Sequence, residues 1–121
     1  MVYIPLYICK SQNKTPDEVN DILNKRSGMY GLCGYSDNRD IETLYQVEEG
    51  ATDALNTYVH SIVRFIGSYI AVLGGVDSIV FTAGIGENVS MIREKIVNSI
   101  SKPMKIKLNK EMNDEVAGFK Q

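Results

Sequence analysis

The chain has 121 residues, 44% hydrophobic and 23% charged, with a formal net charge of −2. That length gives one domain or part of one, and a chain of this size buries about 65% of its unfolded surface, enough for a core. The slightly acidic balance argues against a surface made for bulk nucleic-acid or anionic-membrane binding, and one histidine with two cysteines outside any CxxC pair excludes a histidine-rich metal site.

The first ten residues, MVYIPLYICK, are apolar but lack a basic leader and are interrupted by Pro5, which does not make a signal peptide. Residues 2–9 alternate loosely and read as an extended or irregular lead-in. Cys9 and Cys33 fit a reducing cytoplasm, with a single disulfide left open. After a polar loop, Thr15-Pro16-Asp17-Glu18 predicts a helix start: Thr15 as N-cap, Pro16 in the first helical position and two acids in the first turn. Val19, Ile22 and Leu23 make its apolar face, and Gly28 is expected to end it, giving a helix over about 16–27. Gly28, Gly31 and Gly34 then predict a winding loop that packs closely on something. Ser36 to Asp40 is a polar cluster that offers caps for a helix over about 40–49, with Ile41, Leu44 and Tyr45 inward. Within it, Asp37, Arg39 and Asp40 suit a helix cap with a surface ion pair, and Arg39 equally suits a ligand contact.

Residues 51–73 carry apolar side chains at helical spacing (Leu55, Tyr58, Val59, Ile62, Ile66, Ile70, Leu73), which predicts a helix about 34 Å long. Asp53, His60 and Arg64 interrupt it, so a membrane span is not expected. His60, a lone histidine on a helix, reads as structural or solvated rather than catalytic. Gly67 in mid-helix suggests close packing.

The chain is organised around the stretch Gly74–Asn88, GGVDSIVFTAGIGEN. Ile79, Val80, Phe81 and Thr82 predict a buried strand; Ala83 to Asn88 predict a glycine turn; a helix is expected over about 89–101, with Val89, Ile92, Ile96 and Ile100 on one face. Glycines let the backbone turn tightly and let a ligand approach, and the N–H groups opening the next helix favour an anion. An ordinary turn that binds nothing uses the same glycines, so both readings stand. A P-loop is excluded because GxxxxGK[ST] is absent, and the dinucleotide fingerprint is excluded because Val89 stands where GxGxxG needs glycine. Met104–Leu108 alternates apolar and basic residues as a short edge strand would, and Asn109–Phe119 is weakly helical. No nucleophile elbow and no zinc spacing occur, and no catalytic acid–base pair is marked by spacing, Glu87 being the best-placed carboxylate.

GGVDSIVFTAGIGEN resembles the signature of the acetate and propionate kinases, a family of the actin–sugar kinase–Hsp70 superfamily. TPDEVNDILNKRSG, SDNRDIE and MIREKIV resemble three further segments of the same family, so the similarity runs from about Ile4 to Leu108. It implies an α/β fold: a mostly helical part of an actin-like (ribonuclease H-like) ATPase domain with one core strand and a short edge strand. The family's proteins are several times longer, so residues 1–121 are expected to be part of a C-terminal lobe. The resemblance implies a cytoplasmic enzyme that transfers the γ-phosphate of ATP reversibly to acetate to give acetyl phosphate. Asp37, Asn38 and Arg39 are then expected near the adenine and ribose, and Gly84, Ile85, Gly86, Glu87 and Asn88 near the phosphates. Asn38 stands where the family usually has an apolar residue, and the loop from Gly34 to Asp37 is one residue shorter than usual. The resemblance implies Mg2+ as well, with its ligands and the catalytic groups outside these residues. The alternative is a non-catalytic nucleotide-binding or dimerisation module. The implied partners are ATP or ADP, acetate, and a second copy of the chain.

Overall fold

Eight helices succeed one another, and no β-strand occurs among residues 3–116, the residues that this computed structural model describes. The chain divides into two units, Met1–Leu55 and Asn56–Gln121.

The first unit begins with α1 (Tyr3–Ser11) where an irregular lead-in was expected. Pro5 is compatible because it lies in the first turn, where a backbone N–H has no intrahelical partner to lose. α2 (Pro16–Lys25) starts as its sequence predicts. Thr15 Oγ1 accepts from the Glu18 N–H at 3.3 Å, and Glu18 Oε2 accepts from the Thr15 N–H at 2.8 Å, a complete capping box. The glycine-rich stretch is not a winding loop but a short helix, α3 (Gly28–Cys33). The close approach inferred from its glycines does occur: a Cβ on Gly31 would lie 2.9 Å from the carbonyl oxygen of Arg26, so only glycine fits there. Gly34, at φ +78°, closes α3 in the left-handed region. α4 (Asn38–Leu44) is shorter than expected, and Gly50 lies in the first turn of α5 (Glu49–Leu73). Val19, Ile41, Ala51, Ala54 and Leu55 are the buried apolar residues of this unit.

The second unit takes the remainder of α5, then α6 (Ala83–Asn88), α7 (Ser90–Met104) and α8 (Lys110–Glu115). Val59, Ile92, Ile96, Val97 and Ile100 form its core. Val59 comes from α5; the other four are the face predicted for the helix after the glycine turn, with Val97 added and Val89 left just before the first turn. α7 runs past the expected end, with Pro103 inside it, to Met104, and is capped at Lys105 with φ 54°.

The two expected strands are absent. The run Ile79–Thr82 has no ladder, and Val80 is 77% exposed. A strand exists only through hydrogen bonds to a neighbouring strand, and among the described residues there is none. Residues 106–109 are likewise irregular. Residues 117–119, the end of the weakly helical tail, lie outside the described residues.

Candidate functional site

The residues singled out in the sequence form two groups, one in each unit. In the first, Asp37 is the N-cap of α4, and its Oδ1 accepts from the Arg39 N–H at 2.9 Å. The Arg39 guanidinium folds back onto the same carboxylate, with Nη2 2.6 Å from Oδ2 and Nε 3.1 Å from Oδ1. This two-pronged pair holds the Asp37 carboxyl down at about 2, first through the guanidinium and then through the backbone N–H. It raises Arg39 in turn. The side chains remain open to solvent, Arg39 88% exposed. Local chemistry therefore accounts for Asp37 and Arg39 as a cap and an ion pair. Asn38 opens the helix between them, half-buried. One turn on, Glu42 is half-buried with Oε1 lacking a partner, and burial, aided by the nearby Asp37 charge, raises its carboxyl.

In the second unit, residues 84–88 are not a bare loop. They form most of α6, which the chain enters through Ala83 at φ +61°. That conformation costs an L-residue about 1–2 kcal/mol, and such strain is found where the surrounding structure fixes a functional turn. The two glycines differ. A Cβ on Gly84 would meet nothing within 4 Å, so that side of the turn is open, whereas a Cβ on Gly86 would lie 3.3 Å from the carbonyl carbon of Phe81. Asn88 closes the turn on itself, its Nδ2 donating to the Gly84 carbonyl at 2.8 Å. Ile85 and the Glu87 side chain are half-buried. Beside the turn lies a cavity of about 530 Å³, lined by Tyr58, Ile62 and Ile66 of α5, residues 79–86, and Ile92 and Ile96 of α7. Its lining is mostly apolar, as that of small-molecule pockets commonly is.

Sequence reasoning missed Arg93. It is 6% exposed, on the core face of α7. Its Nη1 donates to the carbonyls of Gly86 (3.0 Å) and Glu87 (2.7 Å), tying the glycine turn to the helix behind it. The available signal was its position: three residues before Ile96 and four before Val97, an arginine at an apolar register point has to be paired.

His60 is exposed on α5, and both cysteines are free thiols. No cluster of three or more His, Cys, Asp or Glu side chains able to hold a metal occurs among the described residues. No helix among them is long and apolar enough to cross a membrane.

The comparisons with known proteins converge. Residues 2–120 match the profile of the Acetokinase family. The acetate kinase of Flavobacterium johnsoniae is 51% identical over 110 residues, covering 88% of this chain and 27% of that protein. Among solved structures, the acetate kinase of Porphyromonas gingivalis superposes with a TM-score of 0.84 at 32% identity, over 95% of this chain and 29% of its own. A propionate kinase from Francisella tularensis does so with a TM-score of 0.84 at 30% identity, over 93% and 29%. The chain thus spans little more than a quarter of the length of the curated relatives it matches.

Proposed function

Because this chain belongs to the acetokinase family, we propose that it supplies part of the nucleotide site of an enzyme that transfers the γ-phosphate of ATP reversibly to acetate. The observation that carries this reading is the Gly84–Asn88 turn, open at Gly84 and set against an apolar cavity of about 530 Å³. The cavity takes the base, a flat and weakly hydrated ring, and the turn lets the chain approach the phosphates without a side chain intervening. Asp37, Asn38 and Arg39, in the first unit, are proposed as nucleotide contacts in their own right, Arg39 through an exposed guanidinium suited to a ribose or phosphate oxygen.

These residues bind and orient; they do not carry the chemistry. Transfer of a phosphoryl group depends on positioning and on cationic stabilisation of the moving charge, with Mg2+ bridging the phosphates. The groups proposed here hold the nucleotide end of that arrangement. The chain by itself is therefore expected to bind ADP and to make no acetyl phosphate.

Calorimetric titration of the chain with ADP, run beside an acetyl phosphate assay, tests this. Saturable binding without turnover supports the reading. Absence of binding removes the nucleotide role, and acetyl phosphate formation above a mock preparation removes the division of labour. A second reading, an association module, is favoured by the exposed Phe65, Tyr69, Val72 and Val80, and predicts dimers that are indifferent to ADP.

A further inference from the structure

Arg93 is a buried cation whose five hydrogen bonds all end on neutral oxygens. Besides the carbonyls of Gly86 and Glu87, its Nε donates to Asn113 Oδ1 at 2.8 Å, and its Nη2 donates to the carbonyls of Asn113 (2.6 Å) and Val116 (2.9 Å). A guanidinium has five N–H donors in a rigid plane, and here every one is used. Asn113 is itself buried, 7% exposed, and returns a bond from Nδ2 to the Ser90 carbonyl at 3.0 Å, at the start of α7.

The acceptors come from the last turns of α6 and α8, where carbonyls have run out of intrahelical partners. One planar group thus joins the end of the glycine turn to the end of a helix some 25 residues later. Packing alone would be served as well by an apolar side chain at position 93, since a buried charge is costly and seldom stabilising by itself. What an apolar side chain would not do is fix the two peptide planes just after Gly86 and Glu87.

We propose that Arg93 is a positioning residue that locks the glycine turn to α8, so that the state of one is read by the other. The ligand part rests on the proposed nucleotide role: if the turn holds nucleotide, binding at Gly84–Asn88 stabilises α8, and docking of α8 strengthens nucleotide binding by the same factor, as linkage requires.

The test is hydrogen exchange on the full chain, with and without ADP, for wild type, Asn113→Ala and Arg93→Lys. Asn113→Ala removes the Nε acceptor on the α8 side of the clamp and, with it, the Nδ2 bond to the Ser90 carbonyl. It is expected to speed exchange in residues 84–88 on the order of tenfold, the loss of about one charge-assisted bond, while α2 is unchanged. In wild type, ADP is expected to slow exchange across 110–116, and Arg93→Lys, which keeps the charge but not the fork, is expected to abolish that response. The proposal is overturned if Asn113→Ala leaves 84–88 at the wild-type rate, if exchange rises in α2 as much as in α6, or if ADP binds without any response in α8. Should wild type bind no ADP, the nucleotide reading fails, and the lock stands or falls on the Asn113→Ala exchange alone. Should Arg93→Lys not fold, Asn113→Ala decides.

Discussion

At Gly84 a side chain has free space, and at Gly86 it is crowded by Phe81; the two glycines therefore separate ligand approach from packing. Gly84→Val is expected to leave the melting temperature close to wild type and to weaken ADP binding by steric intrusion. Gly86→Val forces Phe81 aside and is expected to cost about 1–3 kcal/mol of stability, read from denaturant melts. The α4 cap gives a pH signature. The Asp37 carboxyl lies lower in the folded chain, at about 2, than its ordinary value of 3.8, so its contribution is complete above about 4 and is lost as pH falls towards 2. Asp37→Asn keeps a capping oxygen and is expected to remove that acid-side loss at the Arg39 amide. Glu42 has the opposite sign: its carboxyl is raised by burial, so ionisation above its ordinary 4.5 costs stability. Glu42→Gln is expected to raise the melting temperature at pH 7 and to leave it unchanged at pH 3.

At the scale of elements, what was legible was what local chemistry decides. Thr15, Pro16 and Glu18 build their cap from within four residues, and the helix start is where the sequence places it; Thr15→Ala is expected to cost about 1 kcal/mol, measured by thermal unfolding. The long α5 and the buried face of α7 followed from apolar spacing. The strand Ile79–Thr82 failed for a non-local reason: β-branched and aromatic residues favour extended backbone, but a ladder needs a second strand. The stretch around Gly31 failed in the other direction. Two glycines, Gly28 and Gly31, lie inside α3, and a glycine in a helix interior costs about 1 kcal/mol, yet Gly31 sits where any Cβ would strike the Arg26 carbonyl, so close packing overrides propensity. Of the site, the glycine turn was legible as a motif. The role of Arg93 was not, because its partners Asn113 and Val116 lie 20 and 23 residues away and nothing local announces them.

At the scale of the whole molecule, both units present apolar surface. Tyr3, Ile4, Leu6 and Tyr7 are exposed on α1, and Phe65, Tyr69, Val72, Leu73 and Val80 are exposed in the second unit. Irregular backbone around Val80, without a ladder, offers N–H and C=O groups to another chain. The chain alone is therefore expected to self-associate, with mass by light scattering rising with concentration; a strict monomer with a sharp cooperative melt at high concentration would show that it closes its own core. The central claim is that the Gly84–Asn88 turn holds a nucleotide. Titrating the isotopically labelled chain with ADP and following backbone amide shifts tests it most directly. Saturable shifts at Gly84 to Asn88 are predicted. ADP that leaves these amides unshifted, or shifts them without saturation, would contradict it.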